Sequence, residues 1–273
     1  VAGEATATFQ TDDLTDPTID RPSLDPANTA IFFTSSEGLY TDTTEYDGFD
    51  PVMGTGGLTD LDFVISNFNN NGGTSEEPTI NSLTSFSGIP LFGGETEIRI
   101  NISTTTAASG SETFSIGPVG DEVFDQGGNP LDPAGNTQTI NLYDLLSPSL
   151  EIEPTTPVQS NGLIFIDVSF DIESEEPLRN SAGDPPSNAE LGPKITLAYQ
   201  DGEQDTIAYT ATINAQKTII TINPDSLMHE WRLVQVTFAS SFLDTAGNVA
   251  GGATATFHTR DLIAPTIESD SLD

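Results

Sequence analysis

The amino-acid sequence predicts an all-β protein made of two similar units. Short stretches in which apolar and polar residues alternate recur along the 273 residues, and turn-forming residues, among them 24 Gly and 18 Pro, punctuate them. Thr, Ser, Ile, Val and Phe dominate these stretches, whereas helix-forming residues show no periodic arrangement. Alternating runs bounded by turn-forming residues are typical of β-sandwiches and β-barrels.

A junction sequence that occurs three times divides the chain. Residues 9–19 and 257–267 each contain an apolar residue, then Asp-Leu four residues later and Pro three residues after the Leu. Residues 140–148 form a weaker third copy. The segments 3–25 and 251–273 are identical at 15 of 23 positions. Recurrence at a fixed spacing indicates a tandem array.

The junction Asp residues define the predicted units. Asp13, Asp144 and Asp261 are separated by 131 and 117 residues, each the size of an ordinary domain. The predicted boundaries are residues 1–12 for the last strand of a preceding repeat, 13–143 for the first domain, 144–260 for the second and 261–273 for the start of the next repeat. Ala5–Phe9 therefore belongs to a sheet outside this chain's own two domains.

The first unit is predicted to contain about seven to eight strands, with a long loop over residues 41–57. Inward-facing positions alternate with polar ones and include Ile31, Phe33, Phe63, Ile98 and Ile100. Leu61 is expected to share the inward face with Phe63. The predicted strands are Thr18–Leu24, Ala30–Thr34, Leu61–Phe68, Thr79–Phe86, Glu95–Ser103, Glu112–Val119 and Thr137–Tyr143.

The second unit repeats this plan. Its inward-facing positions include Val168, Phe170, Ile220, Val234 and Val236. The third and fourth predicted strands are expected to form a hairpin through residues 200–203, and residues 225–231 are expected to form one helical turn. The predicted strands are Ser149–Glu153, Leu163–Ile172, Ile195–Tyr199, Thr206–Ile213, Lys217–Ile222, Arg232–Ala239 and Ala253–Phe257.

Two further motifs recur in both units. Residues 242–248 (Phe-Leu-Asp-Thr-Ala-Gly-Asn) parallel residues 123–129 (Val-Phe-Asp-Gln-Gly-Gly-Asn), which predicts a tight turn in each unit. An early Glu-x-Leu motif occurs at Glu37–Leu39 and, less clearly, at Glu176–Leu178. Together with the junctions, these motifs resemble tandem bacterial Ig-like domains. The resemblance implies two tandem Ig-like β-sandwiches in a beads-on-a-string array.

The charge of the chain restricts its partners. There are 42 acidic and 7 basic residues, a net charge of −35, so we expect neither nucleic acid nor an anionic membrane as a partner. No apolar run is long enough for membrane insertion, and the absence of Cys excludes disulfides and thiol chemistry. The acidity is explained by calcium binding, by a saline environment, or by solubility of an exposed fibre.

The sequence contains no recognisable catalytic motif, and we expect the protein not to be an enzyme. His229 and His258 lack a paired metal-binding pattern, and there is no nucleophile elbow or phosphate-binding loop. Calcium is the one candidate cofactor, because it prefers hard oxygen ligands at flexible spacing. The candidate ligands are Asp12, Asp13, Asp16, Asp144 and Asp261. The alternative is that the recurring Asp caps a turn at each junction.

The expected function is that of a structural repeat in an extracellular or cell-surface bacterial fibre or adhesin stalk. Its partners would be neighbouring copies of the repeat, arranged head to tail. One alternative is a module that binds a surface glycan or a cell-surface ligand through Tyr40, Tyr46, Phe49 or Trp231. A further alternative is an accessory region of a secreted enzyme.

Overall fold

The computed structural model of the chain is all-β, with strands in antiparallel sheets and a few short helices. The described residues are 13–44, 53–156, 158–159, 161–201, 205–239 and 241–263. Ala5–Phe9, Asp12, Tyr46 and Phe49 lie outside them. The chain divides into two compact units, with the boundary between Leu146 and Ser147. Among the described residues, no helix has the length and apolar character needed to cross a bilayer.

The first unit contains two main sheets. The larger has the strand order β1-β2-β7-β6 and the smaller the order β5-β8-β9, while β3 and β4 form a hairpin. That hairpin lies in the segment for which a long loop was expected. The elements are β1 (Ser23–Leu24), β2 (Ala30–Leu39), β3 (Asp42–Thr44), β4 (Met53–Thr55), β5 (Phe63–Asn69), β6 (Thr79–Ser85), β7 (Glu95–Ser103), β8 (Thr113–Pro118), α1 (Pro133–Asn136) and β9 (Gln138–Asn141).

The second unit has the sheets β10-β12-β15-β14 and β11-β17-β16-β13. The short strand β11 runs parallel to β17, and the other pairs are antiparallel. The elements are β10 (Leu150–Pro154), β11 (Leu163–Ile164), β12 (Phe170–Ser174), α2 (Asn188–Leu191), a 3₁₀ turn (Gly192–Lys194), β13 (Ile195–Tyr199), β14 (Tyr209–Ile213), β15 (Ile219–Pro224), β16 (Leu233–Phe238) and β17 (Ala253–Thr259).

The strand order of one unit recurs in the other. The sheet β1-β2-β7-β6 corresponds, strand for strand in chain order, to β10-β12-β15-β14. Likewise β5-β8-β9 corresponds to β13-β16-β17, and the second unit adds β11 beside β17. The internal repeat seen in the sequence is therefore also a repeat of topology.

Each unit has its own core, to which both of its main sheets contribute. Phe33 on β2 and Phe63 on β5 pack with ring centroids 5.2 Å apart, and Phe170 on β12 and Phe257 on β17 lie at the same distance. Ten of the residues predicted to face inward are buried, which confirms the alternation at these positions. They are Ile31, Phe33, Phe63, Ile98, Ile100, Val168, Phe170, Ile220, Val234 and Val236.

The inward position predicted for Leu61 is wrong, because its side chain is 75% exposed. Asp62 is buried instead, since its carboxylate accepts hydrogen bonds from the Thr59 amide and the Thr41 hydroxyl. A polar side chain can occupy such a position when local donors satisfy it. The strand therefore begins at Phe63, two residues later than predicted.

Two other predictions in the second unit are wrong, and a third is confirmed only next to the turn. The single strand over residues 163–172 is two short strands, β11 and β12, in different sheets. The predicted hairpin is present as an antiparallel bridge between Ala198 and Thr206, with the Ile207 amide donating to the Leu197 carbonyl at 2.8 Å, whereas β13 pairs along its length with β16 and β14 pairs with β15. Residues 225–231 form bends and a turn, not a helix, and Trp231 has a φ of 54°.

Candidate metal centre at the repeated turns

A tight turn closed by an Asp and an Asn occurs in both units. In the first, the Asp125 carboxylate accepts the Asn129 amide N–H at 2.8 Å and the Asn129 side-chain amide at 2.8 Å. In the second, Asp244 accepts the Asn248 amide N–H at 2.9 Å and its side-chain amide at 2.8 Å. Both Asp side chains are buried. The predicted turn is thus present twice, with the same side-chain closure.

The Glu-x-Leu motif lies beside this turn in each unit. Tyr40, just after β2, exchanges two backbone hydrogen bonds with Phe124, which precedes Asp125. Arg179 exchanges the same pair with Leu243, which precedes Asp244. The Ser35 hydroxyl donates to the Glu37 carbonyl, as Ser174 does to Glu176. The buried Leu39 and Leu178 anchor these segments in the two cores.

The three junction Asp residues share one local structure. Their Oδ1 atoms accept the amide N–H two residues later: Thr15 for Asp13 at 3.0 Å, Leu146 for Asp144 at 3.0 Å and Ile263 for Asp261 at 2.8 Å. This is the Asx turn expected as the alternative role of the recurring Asp. The hydrogen bond of the turn engages one carboxylate oxygen of each Asp, so the arrangement is compatible both with a turn cap and with a metal ligand.

In the first unit, the junction Asp, the Glu-x-Leu motif and the Asp–Asn turn lie next to one another. Carboxylate oxygens of Asp13, Glu37 and Asp125 lie within 4.8 Å of one another. The approach of Asp13 depends on Gly127, where an added Cβ would lie 2.8 Å from the Asp13 Cβ. The Asn129 side chain also donates to the Asp13 carbonyl at 3.3 Å. Three carboxylates from three chain segments are thus held together at one point.

The carboxylates of this cluster repel one another. Burial raises the pKa of Glu37, and the nearby charges of Asp13 and Asp125 raise it further. A divalent cation among the three groups would remove this repulsion. Calcium takes six to eight oxygen ligands, so backbone carbonyls or water would have to complete its coordination. The donor chemistry of the cluster fits a hard cation of this kind.

The second unit repeats two members of the cluster. Glu176 and Asp244 offer carboxylate oxygens within 4.8 Å of each other, at the positions equivalent to Glu37 and Asp125. In sequence, Asp144 is the counterpart of Asp13, and it lies in the first of the two units. Asp261 forms its Asx turn at the end of the second unit.

The structure brings only part of the predicted ligand set into this cluster. Asp13 is in the cluster, the exposed Asp16 is not among its members, and Asp12 lies outside the described residues. Sequence reasoning missed Glu37 and Asp125, and with them their counterparts in the second unit. The signal was present, because both residues belong to motifs that recur in the two units, but those motifs were interpreted as features of the fold.

A pocket of about 300 Å³ in the second unit brings together Lys194, Asn180 and Glu190. Each has a local structural partner: Asn180 donates to Glu190, and Glu190 accepts the Ser187 amide and hydroxyl that cap α2. Hydrogen bonds from Ser187 hold the pKa of Glu190 below its ordinary value. The Glu190 carboxylate is thus ionised at neutral pH and acts as a helix cap.

No protein-family model matches the chain, and no curated protein matches it. The assignment of function therefore depends on the internal repeat and on the geometry of the motifs.

Proposed function

We propose that this chain is a structural repeat module of an extracellular bacterial fibre or adhesin stalk. The observation that carries the proposal is the recurrence of the same strand order and the same Asp–Asn turn in both units. Repeated domains joined by a repeated junction provide length and spacing. Head-to-tail continuity with neighbouring repeats is the partnership that this organisation favours.

The strand order supports an Ig-like sandwich for each unit. If the main strands of the first unit are lettered A to G in chain order, its sheets have the orders A-B-E-D and C-F-G. The second unit gives the same two orders, with β11 added beside its last strand. These are the sheet orders of a constant-type Ig domain. The net charge of −35 is compatible with a solvated surface outside the cell.

Solution scattering tests this proposal. A single compact body of 273 residues has a radius of gyration of about 18 Å. A spacer made of two units in line should exceed that value clearly, and its distance distribution should be skewed toward long distances. A radius near the compact value would oppose a role in extension.

We also propose that calcium binds at the cluster formed by Asp13, Glu37 and Asp125. The support is the convergence of three carboxylates and the raised pKa of Glu37, which burial and the two neighbouring charges cause. Bound calcium would hold the junction segment against the Asp–Asn turn and so stiffen the start of each repeat. Because the ligand would bind the folded state, it should raise the melting temperature.

Melting curves in calcium and in chelator, at matched ionic strength, test the calcium proposal. Calcium should raise the melting temperature of the chain, and magnesium should do so less, because magnesium demands stricter geometry and dehydrates reluctantly. Identical curves would favour turn capping as the only role of the junction Asp.

A second candidate function is glycan binding, which the exposed Trp231 favours. Its ring is 60% exposed and lies 5.1 Å from the His258 ring. Exposed aromatic rings provide apolar platforms with a polar edge. Tyr40 is less suited to this role, because its ring packs against Gly54, Gly93 and Gly94. Quenching or shifting of Trp231 fluorescence by oligosaccharides would support this alternative.

A further inference from the structure

The loop end of the second unit that carries Asp261 has an exposed apolar surface. We call it the exit surface, and its members are Trp231, His258, Arg260, Leu262 and Ile263. The loop before β16 and the segment after β17 are joined here: Thr259 donates its hydroxyl proton to the His229 carbonyl, and the Leu262 amide donates to Glu230. Trp231 is 60% exposed and Ile263 is 74% exposed.

Trp231 adopts a backbone conformation that bulky residues rarely adopt. Its φ of 54° lies in the left-handed region, where a large side chain is a genuine outlier. Such strain persists only when the surroundings or a function require it. Here it places the only Trp of the chain on the surface beside the exit segment.

On the exit surface the carboxylates have hydrogen-bond partners, whereas one nitrogen of Arg260 has none within the described ranges of the chain. The carboxylates of Glu230 and Asp261 each accept a backbone N–H, from Leu262 and Ile263 respectively. Arg260 stacks over the Phe165 ring at 4.1 Å, and its buried Nε has no hydrogen-bond partner among the described residues. Within the part of the chain that the structure describes, this surface therefore offers an apolar area and a cation with no ion pair.

The first unit has an exposed surface at the end opposite to the one that corresponds to the exit surface. We call it the entry surface, with the members Asp60, Leu61, Ile89 and Phe92. All four are exposed, Leu61 at 75% and Phe92 at 77%. They lie beside the end of β2, where the Thr41 hydroxyl donates to Asp62 and the Gly94 amide donates to the Leu39 carbonyl. This surface therefore presents three apolar side chains and one carboxylate.

We propose that the exit surface is a docking surface, and that its occupant is the acidic, apolar entry surface of a following unit of the same kind. The sequence after Ile263 supports this choice, because residues 264–273 repeat the residues that open the first unit. Leu61 and Phe92 would cover the Trp231 ring, and the Asp60 carboxylate would pair with Arg260. This inference rests on the proposed function and adds a defined interface to it.

A tandem protein tests the inference. Residues 1–263 are joined directly to residues 16–273 of a second copy, which places an entry surface after Ile263. The substitution Trp231→Phe in the second copy leaves Trp231 of the first copy as the fluorescent reporter. Docking should reduce the acrylamide quenching of that indole roughly twofold relative to the 273-residue chain, because burial removes its exposed area. Leu61→Ser in the second copy should restore the quenching, whereas the control Val64→Ser, on an outward strand position, should not.

The outcomes separate the docking proposal from the proposed function. Unchanged quenching in an extended tandem protein would overturn docking and leave the fibre function intact. A tandem protein that collapses to a compact body would contradict the fibre function itself. A third outcome is that oligosaccharides protect Trp231 of the 273-residue chain from acrylamide, while the second copy does not protect it in the tandem protein. The partner of the exit surface would then be a glycan and not a protein.

Discussion

Single carboxylates hold the loops of the first unit in place, and Glu112 is the clearest of them. It is fully buried, and its carboxylate accepts the backbone N–H groups of Thr74 and Ser75 at 2.8 Å and of Ser109 at 3.0 Å. These bonds join the loop before β6 to the loop before β8. Its counterpart position in the second unit is Arg232, which instead pairs with Asp201 at 2.7 Å.

Glu112→Ala should destabilise the first unit by about 3 kcal/mol, because three backbone donors lose their acceptor in a buried site. Urea unfolding followed by circular dichroism measures the change. The matched control is Glu122→Ala, since Glu122 is exposed and its removal should change the free energy of unfolding little. Equal effects of the two substitutions would contradict the role assigned to Glu112.

The pH dependence of stability should contain two opposing contributions. Desolvation would raise the pKa of Glu112, but the backbone hydrogen bonds outweigh it and lower the pKa. A lowered pKa contributes stability above the unfolded-state value, and this is lost as pH falls through the folded-state value. For Glu37 the pKa is raised by burial and by Asp13 and Asp125, so without calcium its ionisation destabilises the fold as pH rises past the unfolded-state value, about 4.5.

Glu37→Gln should therefore stabilise the chain at pH 7 in chelator, because it removes the repulsion with Asp13 and Asp125. The same substitution should reduce the stabilisation by calcium, since one charged ligand is lost. Melting temperatures of the two proteins in calcium and in chelator measure both effects. A Glu37→Gln protein that is less stable than the parent in chelator would contradict the clustering of the three carboxylates.

At the scale of elements, the two units differ in the group that accepts the backbone amide just after their last strand. In the second unit the Arg260 amide, just after β17, donates to the Ile164 carbonyl of β11 at 3.0 Å. In the first unit Tyr143 holds the equivalent position after β9, and its amide donates to the Asn28 side chain at 2.9 Å. Asn28 also donates its own amide to the Tyr143 carbonyl at 2.8 Å. A side-chain amide thus takes the place of the strand β11.

Asn28→Ala should cost about 2 kcal/mol, because two hydrogen bonds to Tyr143 are lost from a buried side chain. Asn28 also has a φ of 56°, which Ala tolerates poorly and Gly tolerates well. Asn28→Gly should therefore be less destabilising than Asn28→Ala, while both remain below the parent protein in free energy of unfolding. Parent-like stability of Asn28→Gly would show that the conformation, not the amide, is what matters.

The bounds of a strand were predictable from sequence where one face of the strand is buried and the other is exposed to solvent. Glu95–Ser103, with its alternating burial, was predicted with the bounds that the structure gives. Pairing was not predictable, because the pattern of a strand states which face is buried but not which strand lies beside it. The Asp-Gly turn thus predicted the short antiparallel bridge between Ala198 and Thr206, but not that β14 pairs with a strand of the other sheet. The carboxylate cluster was missed for the same reason, since its members come from three distant segments.

At the scale of the whole molecule, the central feature is internal repetition. The junction sequence recurs three times, and the strand order and the Asp–Asn turn recur in both units. A repeating chain of this kind should add length in proportion to the number of units. A single compact body would instead grow only slowly with chain length.

Small-angle scattering from the 273-residue chain and from its tandem protein tests this claim most directly. If the units form an extended spacer, the maximum dimension should increase by about the length that two further units add, nearly doubling, because repeats placed in line add their lengths. The curves should be compared at matched ionic strength in calcium. A tandem protein with only a slightly larger maximum dimension than the single chain would contradict the account.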